Sequence, residues 1–240
     1  MPWKLTVDVL RVIQRSRYLL LLIALSVLLI AYPFWSRDVV GLATFDIMLW
    51  GVLLGGLWAL HRNPGLLRIA LALAVTAFAM NVVTYQVPIH EVVLVSCLLD
   101  LVLLLFVTAI ILSHVVEEGK VDADRIFGAI CGYLLIGLSW ALIYGALDLV
   151  QPGSFDLGKV PAVPTGLGAS EPAPHFADMD PMIYYSLVTL STLGYGDIVA
   201  VTRAARSLSA LEAIVGQLYI AVVVARLIGL RILTGSLERR

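Results

Sequence analysis

The chain has 240 residues, 60% of them hydrophobic and 14% charged, with a mean hydropathy of +0.97. Soluble globular domains hold only about 45–50% apolar residues, so this composition excludes that class and points to an integral membrane protein. The formal net charge of −1 conceals an uneven distribution, because charges are nearly absent from long segments and gathered between them, which is itself a topology signal.

Lys4, Arg11, Arg15 and Arg17 precede the run YLLLLIALSVLLIAYPFW. The run is too long for a signal peptide and lacks a small-residue cleavage site, so it reads as a retained helix. A spanning helix needs about 20 apolar residues, and by that measure crossings are expected at 18–35, 39–60, 66–87, 89–113 and 126–149. Residues 151–179 then break the pattern with Pro152, Gly153, Gly158, Pro161, Pro164, Gly166, Gly168, Pro172 and Pro174, a composition that cannot span. A short apolar piece at 182–190 and a last crossing at 204–232 follow. The fold class expected is an all-α membrane protein with six crossings and one half-length helix before the sixth.

Lys and Arg in the short connections set the orientation. The amino terminus, Arg62 and Arg68, Lys120 and Arg125, and Arg231, Arg239 and Arg240 share one side, read as cytoplasmic; Arg37, Lys159, Arg203 and Arg206 are all that the other side has. Tyr32, Trp35, Tyr85 and Tyr144 near outer ends and Tyr18 and Trp58 near inner ends fit interfacial belts. Cys97 and Cys131, alone in apolar segments, read as small buried hydrophobes. The chain divides into a cytoplasmic segment 1–16, a four-helix membrane domain 17–113, a linker 114–125, a pore-like unit 126–232 and a short tail 233–240.

The stretch STLGYG, Ser191 to Gly196, followed by Asp197, is bare backbone in an apolar chain. Non-helical backbone at membrane depth is tolerated only where it is buried in protein or lines a watery path, so a pore or cavity is implied. DPMIYYSLVTLS reads as a supporting helix, with Asp180 as N-cap and Pro181 at the first helical position. Its negative C-terminal end would attract a cation. Gly194 and Gly196 accept the positive φ that lets successive carbonyls face one axis.

Thr192-Leu193-Gly194-Tyr195-Gly196-Asp197 resembles the selectivity filter of potassium channels, commonly T-V-G-Y-G, and six crossings with one filter resemble the voltage-gated layout. The resemblance implies that the main-chain oxygens of Thr192, Leu193, Gly194 and Tyr195, with the Thr192 hydroxyl, bind dehydrated K+, that Gly196 closes the outer end and that Asp197 sits behind the filter. One loop supplies a quarter of a coordination cage, so three identical subunits and the lipid bilayer are the expected partners, with no nucleic acid and no cofactor beyond the transported K+. Two residues depart from the family pattern. Leu193 replaces the commoner valine, and Val188 stands where some bacterial relatives have a glutamate that pairs with the filter aspartate, so Asp197 needs another partner, for which Tyr184 or Tyr185 is the candidate.

In the last crossing Gly216 lies where related channels carry a hinge glycine; the alternative is close packing against the supporting helix. Ile220, Val224 and Ile228 follow on one face as cavity and gate residues. Glu212, one turn before Gly216, is an ionisable group at depth and either modulates function or bonds to the back of the supporting helix. Arg226 and Arg231 are expected to snorkel to the inner interface.

Asp148, Asp156, Glu171, Asp178 and Asp180 form an acidic vestibule or a solvated loop; Glu117, Glu118, Asp122 and Asp124 bind a divalent ion or proton, or merely solvate a linker. The fourth crossing lacks the Arg or Lys at every third position that a voltage sensor needs and carries Asp100, either protonated or paired, as a modulatory or structural residue. Asp46 and Asn81 lie at similar depths, as for a hydrogen-bonded pair. His61, His90, His114 and His175 are scattered with no nucleophile or acid/base pair, so no enzyme is expected. The function expected is a potassium-selective channel that is not voltage-gated, with a weakly selective cation channel or a non-conducting partner subunit as alternatives.

Overall fold

A computed structural model describes residues 17–31, 64–87, 89–117, 123–158 and 179–237. The described chain is helical apart from one small sheet: α1 (Arg17–Ala31), α2 (Pro64–Gln86), α3 (His90–Val116), α4 (Ala123–Val150), β1 (Phe155–Asp156), α5 (Asp180–Leu190), β2 (Val199–Ala200) and α6 (Arg203–Leu237). Among the described residues four stretches are long and apolar enough to cross a membrane, Gly65–Thr84, His90–Val116, Ala123–Val150 and Arg203–Arg226. The crossing expected at 39–60, with Asp46 and Trp58, lies outside the described residues, as do Tyr32, Trp35, Lys159, Glu171 and Asp178.

Three helices overrun the apolar segments that predicted them. α3 continues to Val116, α4 begins at Ala123 and α6 runs on to Leu237, because apolar length marks the part suited to hydrocarbon, whereas backbone hydrogen bonding continues until something ends the helix. Pro64 opens α2 at a position where its missing N–H costs nothing. Glu91 lies in the first turn of α3, at the positive end of the helix dipole. α5 corrects an expectation: Met179, not Asp180, occupies the N-cap, with φ −81° and ψ −15°, and it makes no side-chain cap bond. Because Met179 is already in the helical region, the helix starts one residue early and Pro181 falls in its first turn.

α4 is the axis of the packing and touches α1, α3, α5 and α6. Its glycines make the approach possible, as small residues do between membrane helices. A Cβ at Gly132 would stand 2.7 Å from Leu112 Cδ2 and 2.9 Å from the Tyr219 hydroxyl, and one at Gly137 would stand 2.8 Å from Leu187 Cδ2. At Gly145 it would collide with the sulfur of Met179, which is buried there just before α5.

Two expected belt residues are interior ones. Tyr144 is fully buried and Tyr18 nearly so. Tyr144, Phe155 and Tyr185 form a triangle of edge-on rings, each pair of centroids 5.2 Å apart, a preferred aromatic geometry. The Phe155 corner belongs to β1, which pairs antiparallel with β2 in the register Phe155 to Ala200 and Asp156 to Val199. Two-residue strands carry no readable alternation, and the sequence gives no sign of them. Val201 N–H donates to Ser154 O at 2.8 Å, and the Ser154 N–H donates to Asp148 Oδ1 at 3.0 Å. Thr202 then caps α6, its hydroxyl accepting from Ala205 N–H at 3.3 Å.

Candidate pore loop and its supports

Residues 191–197 are strung between the end of α5 and the start of β2. α5 ends in a Schellman motif. Leu193 N–H donates to Val188 O at 2.9 Å and Thr192 N–H donates to Thr189 O at 2.9 Å, the paired bonds that satisfy a helix's last carbonyls when the residue after the cap turns left-handed. That residue is usually glycine; here it is Thr192, at φ +58° and the one non-glycine with positive φ among the described residues. A β-branched residue there is a conformational outlier.

Gly194 at φ +58° and Gly196 at +77° continue the alternation, so residues 192, 194 and 196 are left-handed while Leu193 and Tyr195 between them are not. A Cβ at either glycine would meet nothing within 4 Å. The glycines are therefore required by φ and not by space. Among the described residues no hydrogen bond is made to the carbonyl oxygens of Thr192, Leu193, Gly194, Tyr195 or Gly196. The loop is exposed on the single chain, and Leu193 and Tyr195 side chains with it.

Of the two tyrosines weighed as partners of Asp197, one reaches it. Tyr184 hydroxyl donates to Asp197 Oδ2 at 2.7 Å, and this bond holds the Asp197 carboxyl below its ordinary range. Tyr185, next along α5, points the other way, its hydroxyl 2.6 Å from Ser209 Oγ of α6. The turn after β1 abuts the same aspartate: a Cβ on Gly158, itself at φ +58°, would stand 2.5 Å from Asp197 O.

Behind the loop stands a set of polar contacts of which the sequence singled out only Glu212, as a bond to the back of the supporting helix. Gln217 Nε2 donates to Thr192 Oγ1 at 3.2 Å, and Tyr133 hydroxyl donates to Leu190 O at 3.1 Å. Glu212 is fully buried. Tyr144 hydroxyl donates to its Oε2 at 2.5 Å, and Ser186 Oγ lies 2.5 Å from its Oε1 and 2.6 Å from Gly137 O. The available signal was a polar residue at depth on each helix, Gln217 and Ser186 in particular, which has to find a partner. Gly216 is pressed against α5, where a Cβ would overlap the Leu190 carbonyl oxygen. Ile220, Val224 and Ile228 are all exposed on the single chain, as are Leu218 and Val222 on other faces of α6.

In the helices remote from the loop, Asn81 bonds to residues of α3, while its expected partner Asp46 lies outside the described residues. Asn81 Nδ2 donates to both carboxylate oxygens of Asp100 at 3.1 Å, and Ser96 Oγ donates to Asn81 Oδ1 at 3.0 Å. Asp100 is thus of the paired kind. The acidic linker also divides: Asp124 Oδ1 accepts from Tyr18 N–H at 3.0 Å, Arg125 bonds the Glu117 carbonyl, and 118–122 lie outside the described residues. Among the described residues no three His, Cys, Asp or Glu side chains gather as a metal site. Arg226 donates to Val116 O at the end of α3, while the Arg231 side chain is outside the described set. Asp148 and Asp156 serve local turns, the latter accepting from Gly158 N–H at 3.0 Å.

Residues 174–230 match the model of a family described as "Ion channel". The match covers α5, the loop, β2 and most of α6, and with the long apolar helices it supports a multi-pass membrane protein carrying an ion-channel domain. No curated protein and no solved structure matches the chain.

Proposed function

We propose that the chain is one subunit of a homotetrameric, potassium-selective channel of the cell membrane, with both termini cytoplasmic and residues 191–197 entering the membrane from outside. The observation that carries the reading is the alternation of positive φ at Thr192, Gly194 and Gly196, with the carbonyls from Thr192 to Gly196 left without donors. Orphan carbonyls are tolerated at membrane depth only beside water, protein or an ion, and a ring of them is what substitutes for the water around K+. The C-terminal end of α5 adds a partial negative charge under the loop. The exposure of Leu193, Tyr195 and apolar side chains on several faces of α6 is compatible with a subunit taken from a ring in a membrane.

The match to an ion-channel family over 174–230 supports conduction without specifying the ion. The test is potassium flux from liposomes reconstituted with the purified full chain, with sodium in its place and with the subunit number measured by cross-linking. Potassium flux well above sodium flux from a tetramer is expected. Equal fluxes favour a weakly selective cation channel, and no flux favours a non-conducting partner subunit.

A further inference from the structure

We propose that Glu212 is a positioning residue that works as a neutral, protonated acid, clamping α5 to α4 and α6 behind the loop. The proposal rests on the pore reading for its functional consequence and on a count of hydrogens for its chemistry. Three short contacts form one chain: Tyr144 hydroxyl to Glu212 Oε2 at 2.5 Å, Glu212 Oε1 to Ser186 Oγ at 2.5 Å, and Ser186 Oγ to Gly137 O at 2.6 Å. Tyr144 and Ser186 each own one hydroxyl hydrogen, and a backbone carbonyl owns none.

With Glu212 ionised, two hydrogens must serve three contacts. Either the serine faces the carbonyl or it faces the carboxylate with two bare oxygens in repulsive contact. With a proton on Oε1 the count closes: Tyr144 donates to Oε2, Oε1–H donates to Ser186 Oγ, and Ser186 donates to Gly137 O.

The surroundings agree. Glu212 is fully buried and Ser186 with it. The titratable side chains around it are tyrosines: Tyr144 of α4 bonds it directly, Tyr185 of α5 packs edge-on against Tyr144 with its hydroxyl 2.6 Å from Ser209 Oγ, and Tyr133 of α4 gives its hydroxyl to Leu190 O. Among the described residues no Lys, Arg or His side chain bonds to it; Arg206 turns to Ala200 O and Arg226 to Val116 O. A buried carboxylate without a cation or a full set of donors neutralises itself. As an acid, Glu212 both donates and accepts, and so joins α4, α5 and α6 at a point four residues before the Leu190 carbonyl that Gly216 abuts.

The experiment compares wild type, Glu212→Gln and Glu212→Ala in liposomes from neutral to strongly alkaline pH, alongside infrared difference spectra of wild type across the same range. Glutamine presents an N–H and a carbonyl like the neutral acid. Glu212→Gln is therefore expected to keep its potassium flux at every pH, while wild type loses flux as the acid ionises and the protonated-carboxyl band disappears in step. Glu212→Ala is expected to lose about tenfold at all pH values, the size of a buried group left without its partner. Identical pH profiles for wild type and Glu212→Gln, or an ionised carboxylate at neutral pH, would overturn the proposal. Absence of flux from wild type at every pH defeats the pore reading instead, and the infrared band then decides the state of Glu212 by itself.

Discussion

Thr192 occupies a position that ordinarily belongs to glycine. Left-handed backbone costs an L-residue roughly 1–2 kcal/mol, and a β-branched side chain does not lessen that, so the Schellman bonds to Val188 and Thr189 are what hold it there. A glycine would cap α5 more easily but would present no hydroxyl to Gln217 or to an ion. Gly194 and Gly196 meet the same demand by having no Cβ. Gly196→Ala is therefore expected to insert into the membrane normally and to lose potassium over sodium preference; wild-type preference in that variant, measured by paired flux assays, would remove the loop from the selectivity mechanism. At Asp197 the sign of the pH effect follows from its lowered titration. The Tyr184 bond is present above the ordinary carboxylate range and is lost as pH falls through the depressed folded value. Tyr184→Phe should move the acid loss of flux upward, toward the ordinary Asp value of about 3.9. Coincident acid profiles for the two proteins would show that the bond plays no part. The glycines were legible from residue type and spacing, and the partner of Asp197 was legible from the resemblance only as one of two adjacent tyrosines, Tyr184 or Tyr185. The left-handed threonine was not, because nothing in a Thr-Leu pair distinguishes a strained cap from a relaxed one.

At the scale of elements, α5 is held by its neighbours on every buried side: Met179 beside Gly145, Leu187 over Gly137, Ser186 on Glu212 and Leu190 against Gly216. The sequence left Gly216 open between hinge and packing. The Leu190 carbonyl leaves no room for a Cβ, which makes close approach a sufficient reason for glycine whether or not the helix also bends. Overpacking at such a contact costs about 1–3 kcal/mol. Gly216→Ala is thus expected to lower thermal stability and to disturb selectivity as well as open probability, whereas a pure hinge substitution would change open probability alone. Single-channel recordings with a melting curve separate the two. For the four described helices long enough to span, existence and order followed from apolar length, since hydrocarbon thickness is a fixed ruler. Helix ends, the two short strands and the partners of Tyr144 and Asn81 were hidden, because each depends on a contact between residues far apart in sequence.

At the scale of the whole molecule, the proposed channel reading would put a voltage sensor's charges on α3, and that helix carries Asp100 bonded to Asn81 instead. Moving one charge across the membrane is worth about 2.3 kcal/mol per 100 mV, and steep gating needs 3–4 such charges per subunit. The conductance is expected to depend weakly on voltage. A steep rise of open probability in planar bilayers would contradict that expectation, and a shallow curve unaltered by Asp100→Asn would assign Asp100 to the scaffold. The small sheet of β1 and β2 bears on a different property, tolerance to change in chain length. Because β1 is paired to β2 and Met179 is wedged at Gly145, the stretch 159–178 departs from one fixed point and returns to another. Doubling such a connection costs only about 0.6 kcal/mol in closure entropy. An epitope inserted between residues 165 and 168 should leave potassium flux intact and bind antibody from outside the cell; loss of flux would show that the stretch itself braces the loop. Between those two fixed ends the number of residues is free to vary, and the cost of varying it grows only with the logarithm of the length.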